Sequence, residues 1–271
     1  MPLHTASAFV LRTYNFAEAD KVCVLLTHRE GKIRGVAHGA RKMKSRFGSA
    51  LEPLTEVSVT YFSKEGRDLV SISNAEIVRS HFNDAASSFE VAAAMSYVAD
   101  LLVEFLPDQE PNEAIYRLVR AALEALGEGH DPYVVVRYFE IWLLRLGGFF
   151  PDLRRCAVCG ASAPPDGPIW LTNEGVPRCT DCSGGRGVRA GPGLRATLAR
   201  ALAEAPSLFA ANAPPKDHVN RLAEINYAII RHALERDLRS HALFHRLRRE
   251  LGASESVDER PGSAGGSAGA S

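Results

Sequence analysis

The stretch Cys156-Ala157-Val158-Cys159, followed after nineteen residues by Cys179-Thr180-Asp181-Cys182, interrupts the chain and decides its architecture. Two residues between cysteines turn both sulfurs of a pair toward one point, and a second pair completes a tetrahedron with Zn–S bonds of about 2.3 Å. Gly160 closes the first pair, where a tight metal loop favours the left-handed backbone. The intervening Pro164-Pro165-Asp166-Gly167-Pro168 is too rich in Pro and Gly to bury a core of its own, so a metal replaces that core. Four of the five cysteines fall within 27 residues. Two disulfides would require an oxidising compartment, and nothing in the chain points to export. The spacing is that of a zinc ribbon. Cys156, Cys159, Cys179 and Cys182 are therefore expected to hold a structural Zn2+ in a closed shell that leaves no place for a catalytic water.

Outward from this insert, read as residues 153–188, the flanking sequence has helical period. Before it, Phe89, Ala92, Ala93, Leu101, Leu102 and Phe105 fall on one helix face, and Pro107 ends that helix. Asn112 caps the next helix, which runs to Gly127, and Asp131-Pro132 starts a third that stops at Gly147-Gly148. After the insert, helices are expected over 193–205 and, as one long segment, over 217–251. Because the insert sits inside this helical domain (83–253), its neighbours should pack together across it. The final 254–271, mostly Gly, Ser and Ala, read as a disordered tail.

Residues 1–82 have a different pattern. Strands are expected over 7–14, 21–27, 32–37, 55–62 and 68–72. In the fourth, Val57, Val59 and Tyr61 face one way and Glu56, Ser58 and Thr60 the other, the mark of a half-buried strand. Cys23 lies in the apolar run Val22-Cys23-Val24-Leu25-Leu26 and is read as a core residue. Five short strands in about 75 residues suit a barrel of the OB type. The fold class is thus α+β and multi-domain: an N-terminal five-stranded OB-type β-barrel, then an α-helical domain with an inserted four-cysteine zinc finger.

The 271 residues suit two domains or one domain with additions, and a composition of 46% hydrophobic and 24% charged is ordinary for a soluble globular protein. No apolar run approaches the ~18 residues of a membrane span. The N-terminus has no signal-peptide core, so a cytoplasmic location and no membrane contact are expected. The zero net charge is unevenly spread, with an excess of four positive charges over 1–82, seven negative over 83–150 and five positive over 151–253. A basic front of this kind permits polyanion binding.

Within that front, residues 29–47 hold Arg29, Lys32, Arg34, Arg41, Lys42, Lys44 and Arg46 against a single acid, Glu30. The second and third strands of an OB barrel and their loops are its usual nucleic-acid face. Lys32, Arg34, Arg41, Lys42, Lys44 and Arg46 are therefore the candidate nucleic-acid track, a set of phosphate contacts with little sequence information. Phe47, Tyr61 and Phe62 offer rings for stacking. The competing reading is a solvated basic loop with these rings in the core; it is favoured for Tyr61, and Phe47 is evenly placed between the two. Catalytic constellations are absent: no G-x-x-x-x-G-K-[ST], no G-x-S-x-G and no H-E-x-x-H occurs. A non-enzymatic protein is expected. The i, i+4 pair His241/His245 is read as helix packing, since no third metal ligand lies near it.

These residues resemble the bacterial DNA repair and recombination family RecO. The resemblance rests on Gly31-Lys32, Gly39-Ala40-Arg41-Lys42, Ser45-Arg46-Phe47, Leu51-Glu52-Pro53 and Tyr61. It continues in Phe139-Glu140, Leu143-Leu144, Gly147-Gly148 and Pro151-Asp152-Leu153 running into Cys156 and Cys159, and ends at Leu238-Arg239-Ser240. It covers about residues 1–250, and the tail lies outside it. It implies an OB-fold, a helical domain and a zinc finger inserted there, with binding of single- and double-stranded DNA and annealing of complementary strands. It also implies as partners RecR, the acidic C-terminal tail of single-stranded DNA-binding protein and, indirectly, RecA, which the protein helps to load in the RecF pathway at the nucleoid. Arg231, Arg236 and Arg239 on the last long helix suit an acidic peptide. The rival class is a zinc-ribbon module of transcription or translation whose barrel binds RNA.

Overall fold

The structure, a computed structural model, describes residues 2–64, 66 and 68–246. The tail at 254–271, and the end of the helix expected to reach residue 251, lie outside the described residues.

Strands β1 (Leu3–Phe16), β2 (Asp20–Thr27), β3 (Gly31–Ala37), β4 (Glu56–Phe62) and β5 (Leu69–Arg79) form a closed barrel in the order β1-β2-β3-β5-β4. β1 returns to pair with β4, and only the β3–β5 pair is parallel. This is the OB arrangement. Alternation places Ala8, Val10, Cys23, Leu25, Val57, Val59 and Tyr61 inside. β1 is longer than its apolar core because a bulge between Val10 and Arg12 bends it and carries it on to Phe16. The loop from 38 to 55 folds back as successive turns and plugs one end of the barrel with Phe47, Ala50 and Leu51.

Helices α1 (Phe82–Ser87), α2 (Phe89–Phe105), α3 (Glu113–Gly127) and α4 (Pro132–Leu146) follow. The local chemistry of the sequence sets their starts. Ser88 Oγ accepts from Val91 N at 3.1 Å, Asn112 Oδ1 from Ile115 N at 3.0 Å and Asp131 Oδ1 from Tyr133 N at 2.8 Å. α2 ends at Phe105 because Leu106, preceding Pro107, takes an extended backbone. Phe89, expected on the buried face, is instead exposed as the first residue of α2.

The insert contributes β6 (Ile169–Leu171), β7 (Pro177–Arg178), α5 (Thr180–Ser183) and β8 (Val188–Ala190), with sheet order β7-β6-β8. It is not wholly without a core: Ile169 and Leu171 are buried in the same apolar cluster as the helices. Arg195 on α6 (Pro192–Ala203) secures the Pro-rich loop, its Nη2 donating to the carbonyls of Pro164, Pro165 and Gly167 at 2.5, 2.6 and 2.9 Å. α7 (Pro206–Ala211) and α8 (Lys216–Leu234) complete the fold, and α4 packs against α2, α3, α7 and α8 at its centre.

The single helix expected over 217–251 is broken. Glu235 takes a left-handed φ of 54°, and the chain becomes helical again at 239–246. Side-chain ties hold the bend: Asp237 accepts from Tyr227 OH, and Arg236 pairs with Glu104 of α2. The returning segment places Phe244 on Tyr97 and Tyr133, and stacks His241 on Tyr227 with a centroid distance of 3.4 Å.

One apolar cluster runs across both halves. Phe9, Leu11, Val24, Leu26 and Leu54, on the outer side of the barrel, join the helical core. The expectation that Glu56 faces solvent fails for this reason: α3 covers it, and it accepts from Tyr116 OH at 3.0 Å and pairs with Arg120. Gly31, with φ 71°, comes so close to the helical domain that a Cβ there would lie 2.2 Å from the carbonyl oxygen of Glu110.

Burial, with His245 and Arg137 nearby, pushes His241 down to about 2. Free in the unfolded chain, it protonates near pH 6.5. The unfolded state therefore binds the extra proton below that pH, and the stability contributed by His241 is lost as pH falls. The expected loss is about 1.4 kcal/mol per pH unit between roughly 6 and 4. Urea midpoints at several pH values check this by comparing the unaltered chain with His241→Phe, whose curve should be flatter by that amount; parallel curves would refute it.

Candidate nucleic-acid interface and metal site

The six basic residues expected to form one track fall into two groups. Lys32 is corrected: it is only 5% exposed. Its Nζ donates to the carbonyl of Val103 at 2.7 Å and pairs with Asp108 at 3.1 Å, so its charge joins the barrel to the helical domain and faces no solvent phosphate. Arg34 is exposed but shares Asp108, at 3.2 Å. Arg41, Lys42, Lys44 and Arg46 are all exposed on the loop after β3, and among the described residues none of the four forms an ion pair with a carboxylate. Met43, fully exposed, stands among them.

This loop is held in place. Asp20 at the start of β2 accepts from Gly39 N at 2.8 Å and lies 2.7 Å from His38 Nδ1. The Gly39 N–H first, and His38 next, hold the Asp20 carboxyl below its usual range. Arg41 N donates to Ala19 O at 2.9 Å, and its guanidinium donates to the carbonyls of Ala17 and Glu18, both at 3.0 Å. The basic loop therefore lies directly on the β1–β2 turn.

Of the rings nominated for stacking, Phe47 is 2% and Tyr61 1% exposed, both in the barrel core, and Phe62 is half-buried. The Arg46 guanidinium covers the Phe47 ring at 4.9 Å, and Tyr61 OH donates to Glu30. Tyr14 and Phe16, which the sequence reading passed over, are about half exposed on the outer face of β1. The available signal was the alternation Arg12, Tyr14, Phe16 beyond the apolar part of the strand.

The four cysteines converge. Their sulfurs all lie within 4.8 Å of one another, with 3.8 Å between Cys159 and Cys179. A tetrahedron with bonds of about 2.3 Å has edges of about 3.8 Å, so the cluster is of the right size for one metal ion. Ala157 N donates to Pro177 O at 2.8 Å and brings the two pairs together, while Gly160, with φ 73°, ends the first loop and Gly184, with φ 58°, the second. The N–H groups of Cys159 and then Cys179 pull the Cys156 thiol down to about 6, whereas Cys182, donating to its neighbouring sulfurs, is pushed up to about 12. Cys156 thus readily gives a thiolate, and Cys182 gives up its proton when a cation offsets the charge, in keeping with metal binding that releases protons.

Residues 1–81 match the family model described as recombination protein O, N terminal, and residues 86–242 match recombination protein O, C terminal. The chain belongs to the RecO family. A DNA repair protein RecO from Anaeromyxobacter sp. (strain K) is 34% identical over 248 residues, 90% of this chain and 96% of that protein. The RecO of Koribacter versatilis (strain Ellin345) is 43% identical over 158 residues, 58% of this chain and 64% of that protein, and that of Symbiobacterium thermophilum is 36% identical over 209 residues, covering 74% and 81%. The family is one of DNA repair and recombination. This chain presents a closed barrel with a basic loop and a helical body with a four-cysteine cluster. Of the arginines suited to an acidic peptide, Arg231 and Arg239 are exposed, while Arg236 is engaged with Glu104. Among the described residues no helix is long and apolar enough to cross a membrane.

Proposed function

We propose that this RecO-family chain is a non-enzymatic mediator that binds single- and double-stranded DNA, anneals complementary strands and, with RecR, helps load RecA onto DNA coated with single-stranded DNA-binding protein. The observation that carries the reading is the loop bearing Arg41, Lys42, Lys44 and Arg46, exposed, without a direct ion pair to a carboxylate among the described residues, and fixed to the β1–β2 turn of an OB barrel. Such a loop neutralises phosphates and releases counterions. The four-cysteine cluster takes Zn2+, the usual ion for four thiolates, in a structural role. The acidic tail of single-stranded DNA-binding protein is received by the helical domain, where the exposed Arg231 and Arg239 suit its charge. The site of action is the cytoplasmic nucleoid.

The deciding experiment is annealing of complementary strands coated with single-stranded DNA-binding protein, beside binding to matched DNA and RNA strands. Accelerated annealing and preference for DNA support the proposal; preference for RNA without annealing supports a transcription or translation module.

Replacing Arg41 and Lys42 together by Ala should weaken binding to all DNA sequences alike. Each phosphate contact adds about 0.7 to the slope of log affinity against log salt for a single strand, so the slope should flatten by about one unit or more. Global stability should change little, because the charges are exposed and the bonds of Arg41 N to Ala19 O and of Gly39 N to Asp20 still tie the loop to the barrel. Salt titrations on two unrelated oligonucleotides check this, and an unchanged slope with unchanged affinity would place the DNA elsewhere.

A further inference from the structure

The basic loop explains attraction to phosphate but not any distinction between strand forms. Phosphates occur in single strands and duplexes alike; what a single strand adds is unpaired bases with free faces. The rings at this end of the molecule therefore matter. Phe47 and Tyr61 are closed inside the barrel. Phe62 is half-buried on β4, whereas Tyr14 and Phe16 are 47% and 49% exposed.

Their placement follows from the register of β1. Phe9 before the bulge and Leu11 within it are buried in the helical core. After it, Arg12, Tyr14 and Phe16 take up the outer face, with Tyr14 opposite Val22 and Phe16 opposite Asp20 on β2. Arg12 lies where that face leaves the helical domain, paired with Asp100 at 2.5 Å, and donates to Tyr14 OH at 3.1 Å. Tyr14 is thus held by an anchored side chain, which lowers the entropy lost when a base settles on it. At the other end, Phe16 leads directly into Ala17 and Glu18, whose carbonyls the Arg41 guanidinium grips. Rings and cations are consecutive parts of one surface, with cations for phosphates and apolar ring faces for bases.

We propose that Tyr14 and Phe16 form a stacking platform for unpaired bases beside the basic loop, making this end of the barrel selective for single-stranded over double-stranded DNA. The inference rests on the DNA-binding reading above and assigns it two residues and a preference. In a duplex the bases already stack on one another and offer these rings nothing. Alanine in place of a stacking ring costs about 5- to 150-fold in single-strand affinity.

The test compares an oligo-dT strand and a mixed-sequence duplex of equal length by fluorescence anisotropy at fixed salt, using the full chain. Four proteins are compared: unaltered, Tyr14→Ala/Phe16→Ala, Tyr14→Leu/Phe16→Leu and Arg41→Ala/Lys42→Ala. Both ring variants should lose at least about tenfold on the single strand. They should keep the duplex affinity and the salt slope, because the phosphate contacts remain. The loop variant should lose affinity for both and flatten the slope. The leucine pair keeps apolar bulk on β1, so it separates loss of stacking from damage to the barrel. Irradiation of an oligonucleotide carrying 5-iodouracil should crosslink to the peptide holding Tyr14 and Phe16. Equal losses on strand and duplex, unchanged single-strand affinity, or crosslinks confined elsewhere would overturn the platform while leaving DNA binding in place. Failure of the unaltered chain to bind either oligonucleotide would overturn both.

Discussion

Stripping the metal proposed for the four-cysteine cluster should unfold the insert. Four cysteine sulfurs converge on a segment that contributes few residues to the buried apolar cluster, Leu153, Ile169, Leu171 and Ala190. In isolated structural zinc sites metal binding supplies about 10–16 kcal/mol of apparent free energy at neutral pH, most of it coupled to folding. Here Arg195 and the contact of Gly175 with Ile229 on α8 hold the base of the insert, so the loss should be local: the two cysteine loops and α5 open while barrel and helices persist. Purified protein is expected to carry about one zinc per chain, as one four-thiolate site requires. Cys156→Ser should lose it and gain protease cleavage near the insert before any change in the main unfolding transition. Protein prepared without chelator and free of metal would refute the site, and simultaneous collapse of the whole chain would refute the local character of the loss.

The second large effect lies at the centre of the helical domain. Glu140 is fully buried and accepts from Arg137 Nη2 at 2.7 Å, Tyr97 OH at 2.9 Å and Asn226 Nδ2 at 3.0 Å. Burial pushes its carboxyl up, and Arg137, Asn226 and Tyr97 pull it back. Glu140→Ala leaves an equally buried guanidinium without its counter-charge and two further donors without their acceptor, and should cost about 3–5 kcal/mol. That is a large part of the total stability of a domain of ordinary size. Arg137→Met/Glu140→Leu removes both charges together and should recover much of the loss, since hydrophobic replacement of a buried pair is often neutral. Urea unfolding of the single and double variants measures both. A loss below about 1 kcal/mol for Glu140→Ala would show that water reaches the pair.

Where a feature is encoded locally, the sequence states it. The cysteine spacing, the alternation of Val57, Val59 and Tyr61, and the caps at Asn112 and Asp131 all act within a few residues and appear as read. The departures occur where two distant segments meet. Nothing near Lys32 or Glu56 in the sequence reveals that α2 and α3 cover them and turn apparent surface charges into buried ties. The break at Glu235 depends on Glu104 and Tyr227, 131 and 8 residues earlier in the chain, and helix propensity does not forbid a continuous helix there. For the candidate interface, charge was legible and ring exposure was not: Phe47 and Tyr14 are both aromatic residues near basic ones, and only the closed barrel shows which of them faces in.

The shared core between barrel and helices also bears on inheritance. Phe9, Leu11, Val24 and Leu26 each serve a barrel strand while filling a space lined by helices, and Lys32 with Asp108 and Glu56 with Arg120 complete the contact on either side. A barrel grafted from a distant relative would bring the right topology and the wrong relief. Its outer side chains would meet helices shaped for others, and its buried charges would find no counterpart. The two halves can therefore drift only together, each substitution on one constrained by the other, and the chain passes through descent as a matched pair of parts.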